Sequence, residues 1–183
     1  MMLAAMLVSV APRAVNAQAQ QTPRPTANSN VSPAKQTPAA TPQATPADVA
    51  SADAIVAALY DVISGPAGKK RDWNRMRSLF IPQGRLIPIV PRKEGGFGAR
   101  VLSVEDYVNG SGNYLETNGF FEREVSHKDE RYENLVHRFS AYESRHKADD
   151  ATPFARGTNS IQLMFDGSRW WVITVAWDSE KKK

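Results

Sequence analysis

The C-terminal stretch from Ser160 to Glu180, SIQLMFDGSRWWVITVAWDSE, constrains the fold more than any other part of the chain. Two apolar, strand-like runs flank Asp166-Gly167, and an Asp-Gly pair between such runs is a strong signal for a two-residue β-hairpin loop. With that loop, Leu163 lies opposite Trp170. Both faces of this hairpin are apolar, so we expect helices to cover one face and a second sheet or subunit to cover the other.

The rest of the chain supplies helices first and further strands later. Apolar residues at helical spacing predict three helices that begin at Ser51, Asp72 and Ser103. GRLIPIV predicts a strand that Pro88 places at a sheet edge, and the Gly-rich PRKEGGFGAR after it predicts a hairpin connection or a mobile flap. FFEREVSH and NLVHRFSAYESR alternate as strands. The order predicts an α+β fold, with three helices packed on a strongly curved, mostly antiparallel sheet.

Composition divides the chain into four parts. Residues 1–19 contain a short apolar core followed by small-x-small sites, which is typical of a signal peptide. Residues 20–50 are rich in Pro, Thr, Ala and Gln, which predicts a disordered spacer. Residues 51–178 form the predicted domain, and residues 179–183 form a basic tail. With the signal, the absence of cysteine suggests a periplasmic or secreted protein.

The same composition excludes several classes of function. Without cysteine there is no disulfide, thiolate metal site or cysteine nucleophile. No apolar run approaches the roughly 18–20 residues that span a bilayer, and a net charge of +4 with interleaved acidic residues does not indicate a nucleic-acid binder. The three histidines lack metal-ligand spacing, so neither a metal nor another cofactor is expected.

Candidate site residues are polar or aromatic side chains expected to face the interior. His137 lies between Leu135 and Phe139 on one strand face, and we therefore predict that it points into the core, as a base, a ligand-binding group or a hydrogen-bonded core histidine. Glu122 and Glu124 share a strand face, as an acid–base pair or, more simply, a solvated or dimer-facing stripe. The remaining pocket candidates are Tyr60, Tyr107, Asn159, Gln162, Trp171 and Trp177.

Residues 52–178 resemble a known superfamily. RGTNSIQLMFDGSRWWVITVAWDSE with NLVHRFSAYESR is similar to the terminal strands of the nuclear transport factor 2-like superfamily, in its SnoaL-like branch. ADAIVAALYDVIS followed by DWNRMRSLFIPQGRLI resembles the helices that lead into the first strand of that fold. The resemblance implies a cone-shaped α+β barrel that encloses a pocket, often in a homodimer.

Three functions are compatible with such a fold, which hosts many unrelated activities. The first is an exported domain that binds a small apolar ligand in the cone. The second is a non-catalytic interaction or dimerisation module whose cone is filled by side chains. The third is a SnoaL-like isomerase, dehydratase or cyclase that uses His137. No local motif matches the catalytic sets of the superfamily, so no catalytic residue is assigned.

Overall fold

The computed structural model describes residues 41–180. The predicted signal peptide, most of the predicted spacer and residues 181–183 of the basic tail lie outside the described residues. The helices are α1 (Ala52–Ile63), α2 (Trp73–Leu79) and α3 (Val104–Asn118), preceded by a single 3₁₀ turn (Pro46–Val49). The strands are β1 (Phe80–Pro91), β2 (Phe97–Ala99), β3 (Leu102–Ser103), β4 (Phe121–Tyr132), β5 (Leu135–Arg145), β6 (Ala155–Phe165) and β7 (Trp170–Ser179).

Each helix begins at the residue that the sequence indicates. The Ser51 hydroxyl accepts a hydrogen bond from the Ala54 amide at 3.0 Å, and the Asp72 carboxylate accepts one from the Arg75 amide at 2.9 Å. Ser103 and Asp106 form a reciprocal capping box at the start of α3. These side chains satisfy amide groups that have no partner within the helix, which fixes where each helix starts.

The sheet is mixed, with strand order β2-β1-β7-β6-β5-β4 and β3 paired to β1. All neighbouring pairs are antiparallel except β1 and β7, which run parallel. The predicted class, three helices on a mostly antiparallel sheet, is confirmed. The predicted edge position of the Pro88 strand is wrong, because β2 and β3 both pair outside β1. Pro88 lies between the β1 residues that pair with β3 and those that pair with β2, where its missing N–H is tolerated.

The last hairpin forms at the predicted place but in a different register. Asp166 to Arg169 make a four-residue turn closed by the Asp166 amide, which donates to the Arg169 carbonyl at 3.1 Å. The Asp166 carboxylate accepts hydrogen bonds from the Ser168 and Arg169 amides at 2.8 and 2.9 Å, so this side chain stabilises the longer turn. Leu163 therefore pairs with Val172 and not with Trp170. The strand register shifts once more between Leu163 and Gln162, so that Gln162 pairs with Thr174.

The core lies between the helices and one face of the sheet, which we call the inner face. Two helices and the sheet supply its fully buried apolar side chains: Ile55 and Val56 of α1, Met76 and Leu79 of α2, and Val136, Ile161, Leu163 and Val172 of the sheet. Residues that precede Ser51 also contact the core. Val49 is buried, and Asp48 forms an ion pair with Arg75 at 2.8 Å.

A buried arginine joins the ends of two helices. The Arg71 side chain donates to the carbonyls of Ile63, Gly65, Lys69 and Leu115 at 2.6–3.0 Å. Ile63 ends α1 and Leu115 lies in the last turn of α3, so the cation sits at the negative ends of both helix dipoles. A glycine is required at position 65 because a Cβ there would lie 2.7 Å from the Arg71 Nη1 atom.

Candidate functional site

The inner face of the sheet, α1 and α3 enclose an apolar cavity of about 360 Å³. We refer to it as the cavity. Apolar side chains form most of its wall: Leu59, Ile63, Met76, Leu86, Leu115 and Val175. Gly110 and Ser111 of α3 also line it, and Gly110 is exposed to solvent, so this turn of α3 lies at the mouth.

Aromatic rings form the rest of the wall. The rings of Tyr107 and Trp177 contact edge to face, with centroids 6.3 Å apart. Four more aromatic residues line the same space: Tyr60, Tyr114, Phe120 and Tyr142. Burial raises the pKa of Tyr107 well above its ordinary value, so its hydroxyl stays protonated at neutral pH.

One carboxyl group, that of Glu122, faces the cavity. Its backbone amide donates to the Ser64 hydroxyl at 3.0 Å, which ties this part of β4 to the end of α1. The Ser144 hydroxyl donates to its carboxylate at 2.9 Å. Burial raises the pKa of Glu122 to about 7, against a smaller lowering by the Ser144 and Asn159 side chains. Glu122 therefore changes charge near neutral pH inside a largely apolar space.

Polar side chains beside Glu122 form a directed hydrogen-bond chain. The Asn159 amide donates to the Tyr60 hydroxyl at 2.9 Å, and Tyr60 contacts the Ser140 hydroxyl at 2.7 Å. Ser140 donates to the Glu124 carboxylate, which leaves Tyr60 as the donor to Ser140. Burial raises the pKa of Tyr60 to about 12. The donors at this end of the cavity are thus already engaged within the protein.

Glu122 and Tyr60 also line a second, charged space of about 810 Å³, which we call the groove. It lies between α1, strands β4 and β5, and the segment 148–150. The fully buried Arg138 is ion-paired there with Asp53, Glu124 and Asp129. Glu122 and Tyr60 therefore form a wall shared by the cavity and the groove.

The structure brings together four of the predicted pocket residues and separates three. Tyr60, Tyr107, Asn159 and Trp177 line the cavity. His137, Gln162 and Trp171 do not contribute to it, because they lie on the opposite face of the sheet, which we call the outer face. Trp177 forms part of the wall and leaves the space open.

The predicted inward orientation of His137 is wrong. Buried positions on β5 alternate as Val136, Arg138, Ser140, Tyr142 and Ser144, so the inner face of this strand is mainly polar. Leu135 and Phe139, which suggested an apolar interior, are 46% and 55% exposed on the outer face. His137 lies between them and hydrogen-bonds the Ser160 hydroxyl at 2.9 Å. The polar face of β5 can be buried because its side chains form ion pairs and hydrogen bonds inside the fold.

Gln162 and Trp171 follow the same geometry. Gln162 pairs with His137 across β5 and β6, so both side chains share the outer face. Trp171 pairs with Met164, donates its indole N–H to Asp166 at 2.6 Å, and stacks under the Arg169 guanidinium at 3.7 Å. The predicted wall role of Trp171 is therefore replaced by a role in the turn.

Glu122 is the candidate site residue for which the sequence interpretation favoured the alternative that fits the structure less well. The alternation of charges in β4 favoured a solvated or dimer-facing stripe, but Glu122 lines both the cavity and the groove, and Glu124 lines the groove. The two-residue spacing that placed them on one face is correct. The polar inner face of β5, which supplies Ser140 and Ser144, was the signal that both carboxylates point inward.

A cluster of possible metal ligands occurs within the described residues but is explained by an ion-pair network. Ligand atoms of Asp53, His127 and Asp129 lie within 4.8 Å of one another. Both carboxylates are already paired with the Arg138 guanidinium. His127 pairs with Glu124 at 2.9 Å.

Comparison with known proteins identifies the fold. No protein-family model and no curated protein sequence matches the chain. A protein of unknown function with a cystatin-like fold from Nostoc punctiforme is similar in structure, with a TM-score of 0.51 at 13% identity, covering 70% of this chain and 87% of that one. This likeness establishes the fold alone.

Several other solved structures are described as nuclear transport factor 2-like. One from Salmonella enterica serovar Typhimurium has a TM-score of 0.48 at 11% identity, covering 70% of this chain and 87% of that one. Another, from Shewanella baltica, has a TM-score of 0.45 at 10% identity, covering 70% and 90%. These descriptions name the superfamily that the sequence resembles. In residues 41–180 no helix has both the length and the apolar character needed to cross a membrane.

Proposed function

We propose that the domain binds a small, largely apolar molecule in the cavity. The observation that carries this proposal is an open space of about 360 Å³ with apolar and aromatic walls, onto which Glu122, Tyr60 and Asn159 converge. Ligand sites have volumes of roughly 300–1,000 Å³ and combine apolar walls with a few placed polar groups. An interaction module with a filled cone fits less well, because Trp177 lines the space without closing it.

Proton-transfer catalysis is a second candidate function, with Glu122 in place of His137. A carboxyl group with a pKa of about 7 can both accept and donate a proton at neutral pH. Tyr107, which also lines the cavity, keeps its proton and can donate a hydrogen bond. Chemistry at His137 is not supported by its place on the outer face.

Closing the mouth of the cavity tests the binding proposal. A Cβ at Gly110 meets no atom within 4 Å, so Gly110→Leu extends into open space and not into packed atoms. We expect it to fold with equal or higher stability, by up to about 1 kcal/mol, because glycine is a poor helix former. It should abolish the thermal shifts that a screen of apolar metabolites produces with the full-length protein, where a ligand at 100 times its Kd adds about 2.7 kcal/mol.

Asn113→Leu is the matched control for this variant. Asn113 is exposed on the same helix and does not line the cavity. It should keep every thermal shift seen with the wild type. Equal shifts in wild type and Gly110→Leu would place binding elsewhere and contradict the proposal.

A homodimer formed through the outer face is part of the proposal. Leu135 and Phe139 are 46% and 55% exposed there, and exposed apolar patches often mark protein contacts. In analytical ultracentrifugation at micromolar concentration we expect a dimer for the wild type and a monomer for Phe139→Glu. A monomeric wild type would exclude the dimer.

Export to the periplasm or beyond, in the SnoaL-like branch of the superfamily, completes the proposal. It rests on the composition of residues 1–19. Mass spectrometry of the mature N-terminus is expected to find cleavage after Ala17 or Ala19. A mature cytoplasmic chain that starts at Met1 would contradict export.

A further inference from the structure

The cavity contains a single type of charge. Among the described residues that line it, Glu122 is the only one that ionises near neutral pH, and no lysine, arginine or histidine is present. Six aromatic residues surround the same space. The faces of aromatic rings carry negative potential, which attracts cations and repels anions. The Glu122 carboxylate and the aromatic rings therefore both favour a cationic ligand over an anionic one.

The Glu122 carboxylate also lacks a cationic partner. Among the ion pairs formed by residues 41–180, none includes Glu122, although Arg123, Arg138 and Arg145 line the adjacent groove. Its side-chain partners are the Ser144 hydroxyl and the Asn159 side chain. A half-buried carboxylate such as Glu122, without an opposite charge beside it, loses hydration on folding, and a bound cation would offset that cost.

The hydrogen-bond donors next to Glu122, unlike the Tyr107 hydroxyl, are engaged within the protein and do not favour an anionic ligand. The Asn159 amide donates to Tyr60, Tyr60 donates towards Ser140, and Ser144 donates to Glu122. These donors are engaged within the protein, whereas the Glu122 carboxylate retains accepting capacity.

We propose that the ligand of this cavity is a small organic ammonium ion with an apolar or aromatic body. The inference rests on the proposed function, since it assumes that the cavity is a binding site. The ammonium group pairs with Glu122 and contacts the aromatic rings, and the apolar body packs against Leu59, Ile63 and Leu115. Recognition of alkylated ammonium groups by aromatic cages follows the same physics.

Binding of such a cation should strengthen as the pH rises through 7, because Glu122 must be ionised to pair with it. The change in its ionised fraction between pH 6 and pH 8 is about tenfold for a pKa near 7. Other titratable and charged groups face Glu122 from the cavity wall and the groove: Tyr60, Tyr107, Tyr114 and Tyr142, and Asp53, Asp61, Arg123, Glu124, His127, Arg138, Arg145, Asp149 and Asp150. The Glu122→Gln variant separates the contribution of Glu122 to the pH dependence of binding from the contributions of these other groups.

The test uses three probes that share one body and differ in charge: 3-phenylpropylamine, 3-phenylpropan-1-ol and 3-phenylpropanoate. Isothermal titration calorimetry on the full-length protein at pH 8 should give at least tenfold tighter binding of the amine than of the alcohol, with the carboxylate weakest. Amine affinity should fall about tenfold at pH 6. In Glu122→Gln the amine should bind no more tightly than the alcohol, and the pH dependence should be lost.

Glu130→Gln is the matched control, because Glu130 is exposed and lines neither the cavity nor the groove. It should keep the preference for the amine. If the alcohol binds as tightly as the amine in the wild type, and Gly110→Leu blocks both, the ammonium inference is overturned and the proposed function stands. If none of the three probes binds at millimolar concentration, both are overturned.

Discussion

Replacing Arg71 by methionine is expected to lower the free energy of unfolding by about 3–5 kcal/mol. The guanidinium donates to four backbone carbonyls at the ends of α1 and α3 and in the segment between α1 and α2. Methionine fills much of the volume but removes all of these donors. The Gly65 carbonyl keeps the Phe120 amide as a donor at 3.0 Å, whereas each acceptor left unsatisfied costs about 1–3 kcal/mol. Urea unfolding followed by tryptophan fluorescence should show a lower midpoint with an unchanged slope.

Lys70→Ala is the control for a charge lost at the surface. Lys70 pairs with Glu116 at 2.7 Å, but its side chain is 88% exposed. Exposed pairs contribute about 0–1 kcal/mol, so this variant should unfold close to the wild type. A similar small loss for Arg71→Met would contradict the assigned role of the guanidinium.

As the pH rises from 4.5 to 8, the free energy of unfolding of Glu122→Gln is expected to increase by about 3 kcal/mol relative to that of the wild type. In the folded protein burial raises the pKa of Glu122 from 4.5 to about 7. Below pH 4.5 the carboxyl is protonated in both states. As the pH rises from 4.5 to 7, the unfolded chain loses this proton while the folded protein retains it, so wild-type stability falls. Above pH 7 the carboxyl is ionised in both states, and wild-type stability falls no further on its account.

Urea unfolding of both proteins at several pH values measures this difference directly. The glutamine does not ionise, so the gap between the two curves should widen from pH 4.5 to pH 7 and then stay constant. Glu130→Gln, an exposed control, should follow the wild type. A constant gap across this range would show that the Glu122 carboxyl is hydrated in the folded protein.

The last hairpin shows what the sequence can and cannot predict. The Asp166-Gly167 pair predicted the position of the turn correctly, and Gly167 has a φ of 97°, a left-handed conformation suited to glycine. The register was wrong because the Asp166 side chain also binds the Ser168 and Arg169 amides and the Trp171 indole. The preference of an Asp-Gly pair for a two-residue loop does not take such side-chain hydrogen bonds into account.

The orientation of β5 explains why part of the site was missed. Alternation predicts two faces but does not decide which is buried, and Leu135 and Phe139 favoured the wrong one. The polar face is buried because Arg138, Ser140 and Ser144 find partners on α1 and β4, far away in sequence. Tyr60 and Tyr107 could be predicted because they lie on helices whose inner faces are defined by apolar spacing.

The stability cost of Glu122 is consistent with a functional role. A glutamine would keep hydrogen-bonding capacity without the ionisation penalty, and within residues 41–180 the carboxylate has hydrogen-bond partners but no ion-pair partner. Functional sites often retain groups that lower stability.

Nuclear magnetic resonance with methyl-labelled full-length protein tests the central claim most directly. With 3-phenylpropan-1-ol bound, we predict intermolecular nuclear Overhauser effects to the methyl groups of Leu59, Ile63, Leu115 and Val175, which line the cavity. Effects confined to Val125 and Leu135, which are 49% and 46% exposed, would show binding on the protein surface and contradict a ligand site in the cavity.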